Sequence, residues 1–235
     1  MIKIDFHVHS EASNDSFMNL SKILKIAKTR GLDGIALVDH YESFAATLPA
    51  ASIHSRVLII QGCEAAFEGY EIIGLFLSRR VNADSAITFI NQVKQQGGIT
   101  VLAHPFKRRE TFDPNLVRLL DSIEGFNART SLRNNIKAQA LADTFGKPAI
   151  AGSDAHNYWE IGNAYTLLNT DTLAMDSIKK ALLREKITFR GKTSPFYEET
   201  ISQIFKSAKL KNPKIALKAL LKQGYSFLSD NERCD

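Results

Sequence analysis

The sequence predicts an α/β barrel, with mostly parallel strands joined by helices. Three observations predict it. Short apolar runs of strand character alternate with helical stretches, which implies parallel pairing and right-handed crossovers. The chain has 235 residues, 44% of them hydrophobic, enough for one sizeable core plus a small appendage; a (β/α) barrel of roughly 200 to 250 residues would use nearly all of it. The strand-like runs also end in histidine, aspartate or glutamate, as the C-terminal rim of a barrel presents them.

The first strand, Ile2 to Ser10, carries the clearest signal. Side chains alternate across a strand, so Asp5, His7 and His9 face one way and Ile4, Phe6 and Val8 the other. Two imidazoles at i and i+2 can reach one cation, and a carboxylate such as Asp5 can orient one of them from behind. His-x-His alone is a weak signal; a surface strand can carry two histidines. Residues 11–18 are polar and read as a loop. Asn19 to Arg30 has helical spacing with Leu20, Ile23, Leu24 and Ala27 on one face, a cap at Asn19 or Ser21, and Gly31 as its stop.

Gly34 to His40 is a continuous apolar run ending in Asp39 and His40, typical of a strand covered on both faces. Val57-Leu58-Ile59-Ile60 leads to Glu64, and Tyr70 to Leu77 pairs back antiparallel through a turn at Glu68-Gly69. Asp84 opens a helix to about Gln96 with Ile87, Ile90 and Val93 on its apolar side, ended by Gly97-Gly98. Then come a strand from Ile99 to Ala103 ending at His104-Pro105, a short helix from Asn115 to Leu120, and a strand from Ile123 to Phe126 ending at Asn127. Leu132 to Phe145 is a helix closed by Gly146, and Pro148 to Ala151 a strand ending in Gly152-Ser153-Asp154-Ala155-His156. Beyond it, Ala164 to Leu168 reads as an edge strand, Asp171 to Glu185 as a helix and Ile187 to Arg190 as a last strand. Residues 195–235 form a basic helical extension, broken near Asn212-Pro213.

Composition excludes several classes. No apolar run approaches the ~18 residues of a membrane span, and the first strand begins at once, leaving no room for a secretory leader. Two cysteines make no disulfide framework: Cys63 reads as a small buried side chain and Cys234 as part of a frayed tail. A cytoplasmic protein is the expectation. The net charge of +5 is unevenly placed, since Lys206 to Lys222 holds six lysines and no acid. We read that run as a solvated helix face, with a nucleic-acid partner bound through phosphate contacts as the alternative.

Five of the six histidines, His7, His9, His40, His104 and His156, fall at strand ends. With Glu64 and Asp154 they form a set suited to Zn²⁺, Mn²⁺ or Fe²⁺. His54 lies in a polar linker and reads as an ordinary surface histidine. One strand-end histidine is usually structural; five converging with carboxylates point to a metal centre.

The ordered segments Asp5-Phe6-His7-Val8-His9-Ser10, Val38-Asp39-His40, Gly62-Cys63-Glu64, Ala103-His104-Pro105 and Gly152-Ser153-Asp154-Ala155-His156 resemble the motifs of the PHP (polymerase and histidinol phosphatase) superfamily. The resemblance covers residues 1–170, and the stretch from Gly152 to Leu168 looks like the short C-terminal region of many stand-alone PHP phosphoesterases. It implies a distorted (β/α)7 barrel over 1–194, with the PHP-associated region from about 150 and the basic helical extension over 195–235. It also implies two or three divalent ions and hydrolysis of phosphate esters. Carried over by position, His7, His9 and Asp154 hold one ion, Glu64 bridges to a second on His104, and His40, His156 and Asp15 hold a third. Glu64, Asp154 and His156 are the catalytic candidates. Two departures stand out: Asn127 replaces a histidine of some relatives, which weakens the second site or leaves it to water, and Asp15 replaces another, which favours a harder ion such as Mn²⁺. Val38 stands where many relatives have threonine, removing an outer hydroxyl.

Such ligands acidify a bridging water from 15.7 towards ~7, and a pair of ions ~3.5 to 4 Å apart neutralises charge during in-line attack on phosphorus. Lys107, Arg108 and Arg129 follow ligand positions and are candidates for binding a small phosphorylated substrate, a metabolite or nucleotide. Rival readings are a nuclease trimming nucleic acid ends, a non-catalytic metal- or partner-binding module, and a metal-dependent amidohydrolase on the same kind of barrel.

Overall fold

The structure, a computed structural model, describes residues 1–40, 56–184 and 187–231, with 224–231 described as helix backbone alone. His54, Cys234 and the Glu185 end of the expected helix lie outside the described residues. The strands are β1 (Ile2–Val8), β2 (Gly34–Leu37), β3 (Leu58–Phe67), β4 (Tyr70–Leu75), β5 (Ile99–Leu102), β6 (Ser122–Asn127), β7 (Ala149–Gly152), β8 (Ala164–Leu168) and β9 (Thr188–Gly191). The helices are α1 (Leu20–Thr29), α2 (Ala86–Gln95), α3 (Pro114–Leu119), α4 (Leu132–Phe145), α5 (Met175–Leu182), α6 (Glu198–Lys209) and α7 (Pro213–Asn231). No described helix is long and apolar enough to cross a membrane.

One sheet runs in the order β7-β6-β5-β4-β3-β2-β1-β8-β9. Its first seven strands curl into a nearly closed barrel. They are parallel except β4, which pairs antiparallel with both neighbours because the tight Glu68-Gly69 turn reverses the chain. Closure occurs just past β7: Ala155 pairs with Val8, its N–H donating to the His7 carbonyl at 3.3 Å while the His9 N–H donates to the Ala155 carbonyl at 3.0 Å. This joint sets the Asp154–His156 segment directly against His7 and His9.

Local chemistry explains the elements. Asn19, Ser85, Asp113 and Ser131 cap α1, α2, α3 and α4, each accepting a hydrogen bond from a first-turn N–H. Gly146 closes α4 in the left-handed conformation that glycine adopts without strain. β2, β5 and β6 are buried throughout, as expected of parallel strands covered on both faces. One apolar cluster joins β1, β2, β3, β4, β5 and β7 to Ile178 and Leu182 of α5. A second packs α2 and α3 on β3 and β4, and a third packs α1 on β2.

Two expectations need correction. β8 is not an edge strand: it lies between β1 and β9, and Thr166 of β8 hydrogen-bonds both main-chain groups of Ala151 in β7. It reads as an edge because Tyr165 and Leu167 are only partly buried, yet β9 hydrogen-bonds along its outer side. On α2, which starts at Ala86 with Ser85 as its cap, the buried face is Phe89, Ile90 and Val93, while Ile87 is 48% exposed because at ~100° per residue it lies roughly opposite Phe89 on the helix.

Candidate metal centre

The parallel strand ends deliver a converging set of nitrogen and oxygen atoms. His7 is the penultimate residue of β1 and His9 lies just beyond its end, and their Nε2 atoms lie 3.1 Å apart. Glu64 enters from the middle of β3, which runs on past the rim to form the hairpin with β4. Its Oε1 is 3.6 Å from His7 Nε2 and 3.0 Å from His104 Nε2, and its Oε2 is 3.6 Å from His9 Nε2 and 3.3 Å from His40 Nδ1. Asp154 Oδ1 lies 3.5 Å from His7 Nε2, 3.6 Å from His9 Nε2 and 3.5 Å from His156 Nδ1. Asp15, on the loop after β1, reaches His40 Nε2 with Oδ2 at 3.1 Å and His156 Nε2 with Oδ1 at 3.4 Å. Four groups have ligand atoms within 4.8 Å of one another: His7, His9 and Glu64; His7, His104 and Asp154; His9, His40 and His156; and Glu64, Glu71 and His104.

The backbone is bent to make this meeting possible. His104 and Asp154 have φ of 23° and 54°, left-handed values that cost non-glycine residues energy and concentrate at functional sites. Gly152 sits where a Cβ would stand 2.3 Å from the His7 Cβ and 2.9 Å from Glu124 Oε1, so no larger residue fits behind the ligands.

The groups behind the ligands fix which nitrogens face inward. The His7 Nδ1–H donates to Glu124 Oε1 at 2.9 Å, which turns Nε2 toward the centre. Ser13 Oγ donates to Asp39 at 2.6 Å and so accepts from His9 Nδ1–H at 3.1 Å, leaving His9 Nε2 as a bare lone pair. The two Nε2 atoms meet at 3.1 Å among carboxylates, where a cation would take the place of the proton that His7 otherwise carries between them. Asp15 Oδ1 is buried without a hydrogen-bond partner. The donor set thus fits hard or borderline divalent ions.

Electrostatics agree. Burial pushes His9 well below its ordinary value, and the charges of His156 and His40 push it further. Burial acts the same way on His7 and His40. The Glu124, Asp154 and Glu64 charges nevertheless raise His7 to about 10, and hydrogen bonds to Asp15 and Glu64 raise His40 to about 11. Burial opposes ionisation of Glu64 and Asp154, yet the imidazoles beside Glu64, and Lys107 and the imidazoles beside Asp154, hold both carboxyls well below the usual range. The centre demands positive charge.

Around it lies a cavity of about 420 Å³. Lys107, Arg108 and Arg129 all line it, in different states. The Lys107 ammonium sits on Asp154 Oδ2 at 2.9 Å. Arg108 is 62% exposed and paired with Glu71 at 2.8 Å. Arg129 is buried, clamped by Glu160 through two 2.8 Å contacts and by Ser202 Oγ at 2.7 Å, so it ties α6 to the barrel. Asn127 spends its amide N–H groups on Glu124 and Asp154 and its oxygen on Arg129 N–H; its role is to hold ligands in place. Glu71 of β4 lies 3.4 Å from His104 Nδ1.

The residue sequence matches the family model for the PHP domain over 5–145 and that for the PHP-associated region over 133–187. The chain belongs to the PHP family. An uncharacterized protein of Methanocaldococcus jannaschii is 30% identical to this PHP chain over 179 residues, 70% of this chain and 69% of that one. Among solved structures, a two-domain Bacteroides vulgatus protein containing a predicted PHP-like metal-dependent phosphoesterase superposes with a TM-score of 0.68 at 18% identity, over 81% of this chain and 65% of its own length. PsfC of Pseudomonas syringae superposes with a TM-score of 0.65 at 18% identity, covering 88% of this chain and 99% of that one. These likenesses concern the fold.

Glu124, Glu71, Ser13 and Lys209 were not singled out by sequence reasoning as parts of the centre. A carboxylate inside the fully buried β6 was the available signal for Glu124. Lys209 of α6 donates to the carbonyls of Glu11, Ser13 and Ser16 at 2.6, 2.7 and 2.5 Å, fastening the loop that carries Asp15. That lysine is not part of a solvated face, and only the folded loop reveals its partners.

Proposed function

We propose that this PHP chain is a metal-dependent phosphoesterase acting on a small phosphorylated metabolite or a nucleotide. The observation that supports it best is the pair of His7 and His9 Nε2 atoms aimed into one space ringed by Glu64 and Asp154. Divalent ions there would supply Lewis acidity toward a phosphoryl oxygen and a water acidic enough to attack phosphorus near neutral pH. The protein's own part is positional. Glu64, touching His7, His9, His40 and His104, is the carboxylate placed to serve more than one ion. Asp154 joins His7, His9 and His156 and carries Lys107 on its other oxygen, so that ammonium stands beside the centre where a phosphate oxygen would arrive. His156, its Nδ1 held by the Asp154 carbonyl at 2.9 Å, presents Nε2 toward Asp15. Arg108, mostly exposed at the cavity lip, would exchange Glu71 for a substrate phosphate.

A panel of phosphomonoesters, phosphodiesters and amides assayed in Mn²⁺, Zn²⁺ and Fe²⁺ tests the reading. Turnover of a phosphoester that chelation and Asp154→Ala both abolish, with the variant still folded, is the expected result. Turnover of amides alone, or undiminished turnover by Asp154→Ala, would contradict it.

A further inference from the structure

A second cavity of about 530 Å³ opens from the metal cavity, and Arg108, Glu199, Gln203 and Lys206 line both. Its walls are one face of α6 (Glu199, Gln203, Lys206) and one face of α7 (Ile215, Lys218, Ala219, Lys222), at the i, i+4, i+7 spacing that aligns side chains along a helix. Charge is distributed unevenly between the two spaces. Around the metal centre three cations already have a carboxylate: Lys107 has Asp154, Arg108 has Glu71 and Arg129 has Glu160; Lys206 stands where the two spaces join. In the groove, beyond the already paired Arg108, three lysines face one acid, Glu199, which touches Lys222 only at 3.9 Å. Lys206 and Lys218 make no ion pair among the described residues. At the groove stands Phe196, 65% exposed, with one ring neighbour among the described residues, Tyr197, at 6.0 Å.

A lone phosphate at the metals has no need of this surplus. Spare cations beside an uncovered aromatic ring match a strand that continues past the reacting phosphate, its further phosphates meeting lysines and a base meeting the ring. We infer that the α6–α7 groove is a distal subsite for single-stranded nucleic acid, so that the substrate is a short oligonucleotide whose reacting phosphate lies at the metal centre. This rests on the phosphoesterase reading for the reaction, while the groove itself binds independently of turnover.

The test is the fluorescence anisotropy of a labelled phosphorothioate hexanucleotide with the full chain, from about 50 to 200 mM salt. Three phosphate contacts to Lys206, Lys218 and Lys222 predict a log–log slope of about −2 and a roughly 15-fold loss of affinity over that range. Lys218→Gln with Lys222→Gln should remove about two thirds of the slope. Phe196→Ala should weaken binding about tenfold and leave the slope alone. In catalysis, the double lysine variant should lower kcat/KM for an oligonucleotide relative to that for a small monoester by at least tenfold. Unchanged affinity and slope in the double variant would overturn the subsite. Equal binding of inorganic polyphosphate with no effect of Phe196→Ala would overturn its assignment to nucleic acid. Because binding is read without hydrolysis, a protein that binds but turns over no phosphoester would refute the reaction and leave the groove standing.

Discussion

Glu124→Gln isolates the group that sets the His7 lone pair. Three donors converge on the two Glu124 oxygens: His7 Nδ1–H at 2.9 Å on Oε1, and His104 N–H at 2.8 Å and Asn127 Nδ2 at 3.0 Å on Oε2. The side chain is 1% exposed, so water cannot substitute. A glutamine offers one acceptor oxygen and one amide donor. If its oxygen serves His7, its NH₂ meets the other two donors and strands both, at about 1–3 kcal/mol each. The lower-energy choice keeps the oxygen on His104 and Asn127 and turns the NH₂ toward His7. His7 must then accept at Nδ1 and carry its proton on Nε2, where it can no longer ligate. The fold should survive with the loss of one charge-assisted bond, about 1.5–3 kcal/mol, or roughly 3–12 °C in melting temperature at 2–4 °C per kcal/mol for a chain of this size. Metal affinity should fall about 10- to 100-fold. Isothermal titration with Mn²⁺ or Zn²⁺, together with ¹⁵N shifts of the His7 ring, reads both effects. A variant that binds metal as wild type does, with Nδ1 still protonated, would refute the role of Glu124.

Other outcomes follow from the same geometry. Gly152→Ala puts a methyl 2.3 Å from the His7 Cβ, and the overpacking should cost about 1–3 kcal/mol or prevent folding; thermal melting would show it, and an unchanged melting temperature would count against the close packing. Lys209→Met removes the ammonium shared by three carbonyls of the loop that carries Asp15, so it should weaken the metal site that includes Asp15 about tenfold and spare the others; elemental stoichiometry at limiting metal reads this, and uniform loss at every site would contradict it. Protons and metal compete for His7 and His40, raised to about 10 and 11 by their carboxylates. Binding must displace those two protons, so apparent metal affinity should rise with pH throughout the range below about 10, by up to roughly a hundredfold per unit. An affinity that fell between pH 6 and 8 would reverse the assignment.

Much of this was legible in the sequence because the signals are local. Apolar runs, helix periods, a cap at Asn19 and glycine stops at Gly31 and Gly146 each act within a few residues. The strand-end histidines announced a centre since parallel strands bring their C-terminal ends to one rim. What stayed hidden depends on distant partners. β8 has the alternation of an edge strand, and only β9, arriving twenty residues later, puts it inside the sheet. Arg129 looked like a cation free for substrate until Glu160 and Ser202, from two other segments, closed on it. Lys209 sat in a basic run whose spacing says solvent, and its partners are main-chain carbonyls that leave no mark in a sequence. Glu124 and Glu71 read as strand residues because no pattern shows which way a carboxylate points.

The claim on which the rest depends is that His7, His9, His40, His104, His156, Glu64, Asp154 and Asp15 jointly bind divalent cations. Anomalous diffraction from crystals soaked in Mn²⁺, collected on both sides of the manganese edge, measures that directly. The account predicts at least two anomalous peaks within the ring of these residues, one of them in contact with both His7 and His9 and another beside His104. Peaks confined to surface carboxylates, with this ring bare at millimolar metal, would contradict it.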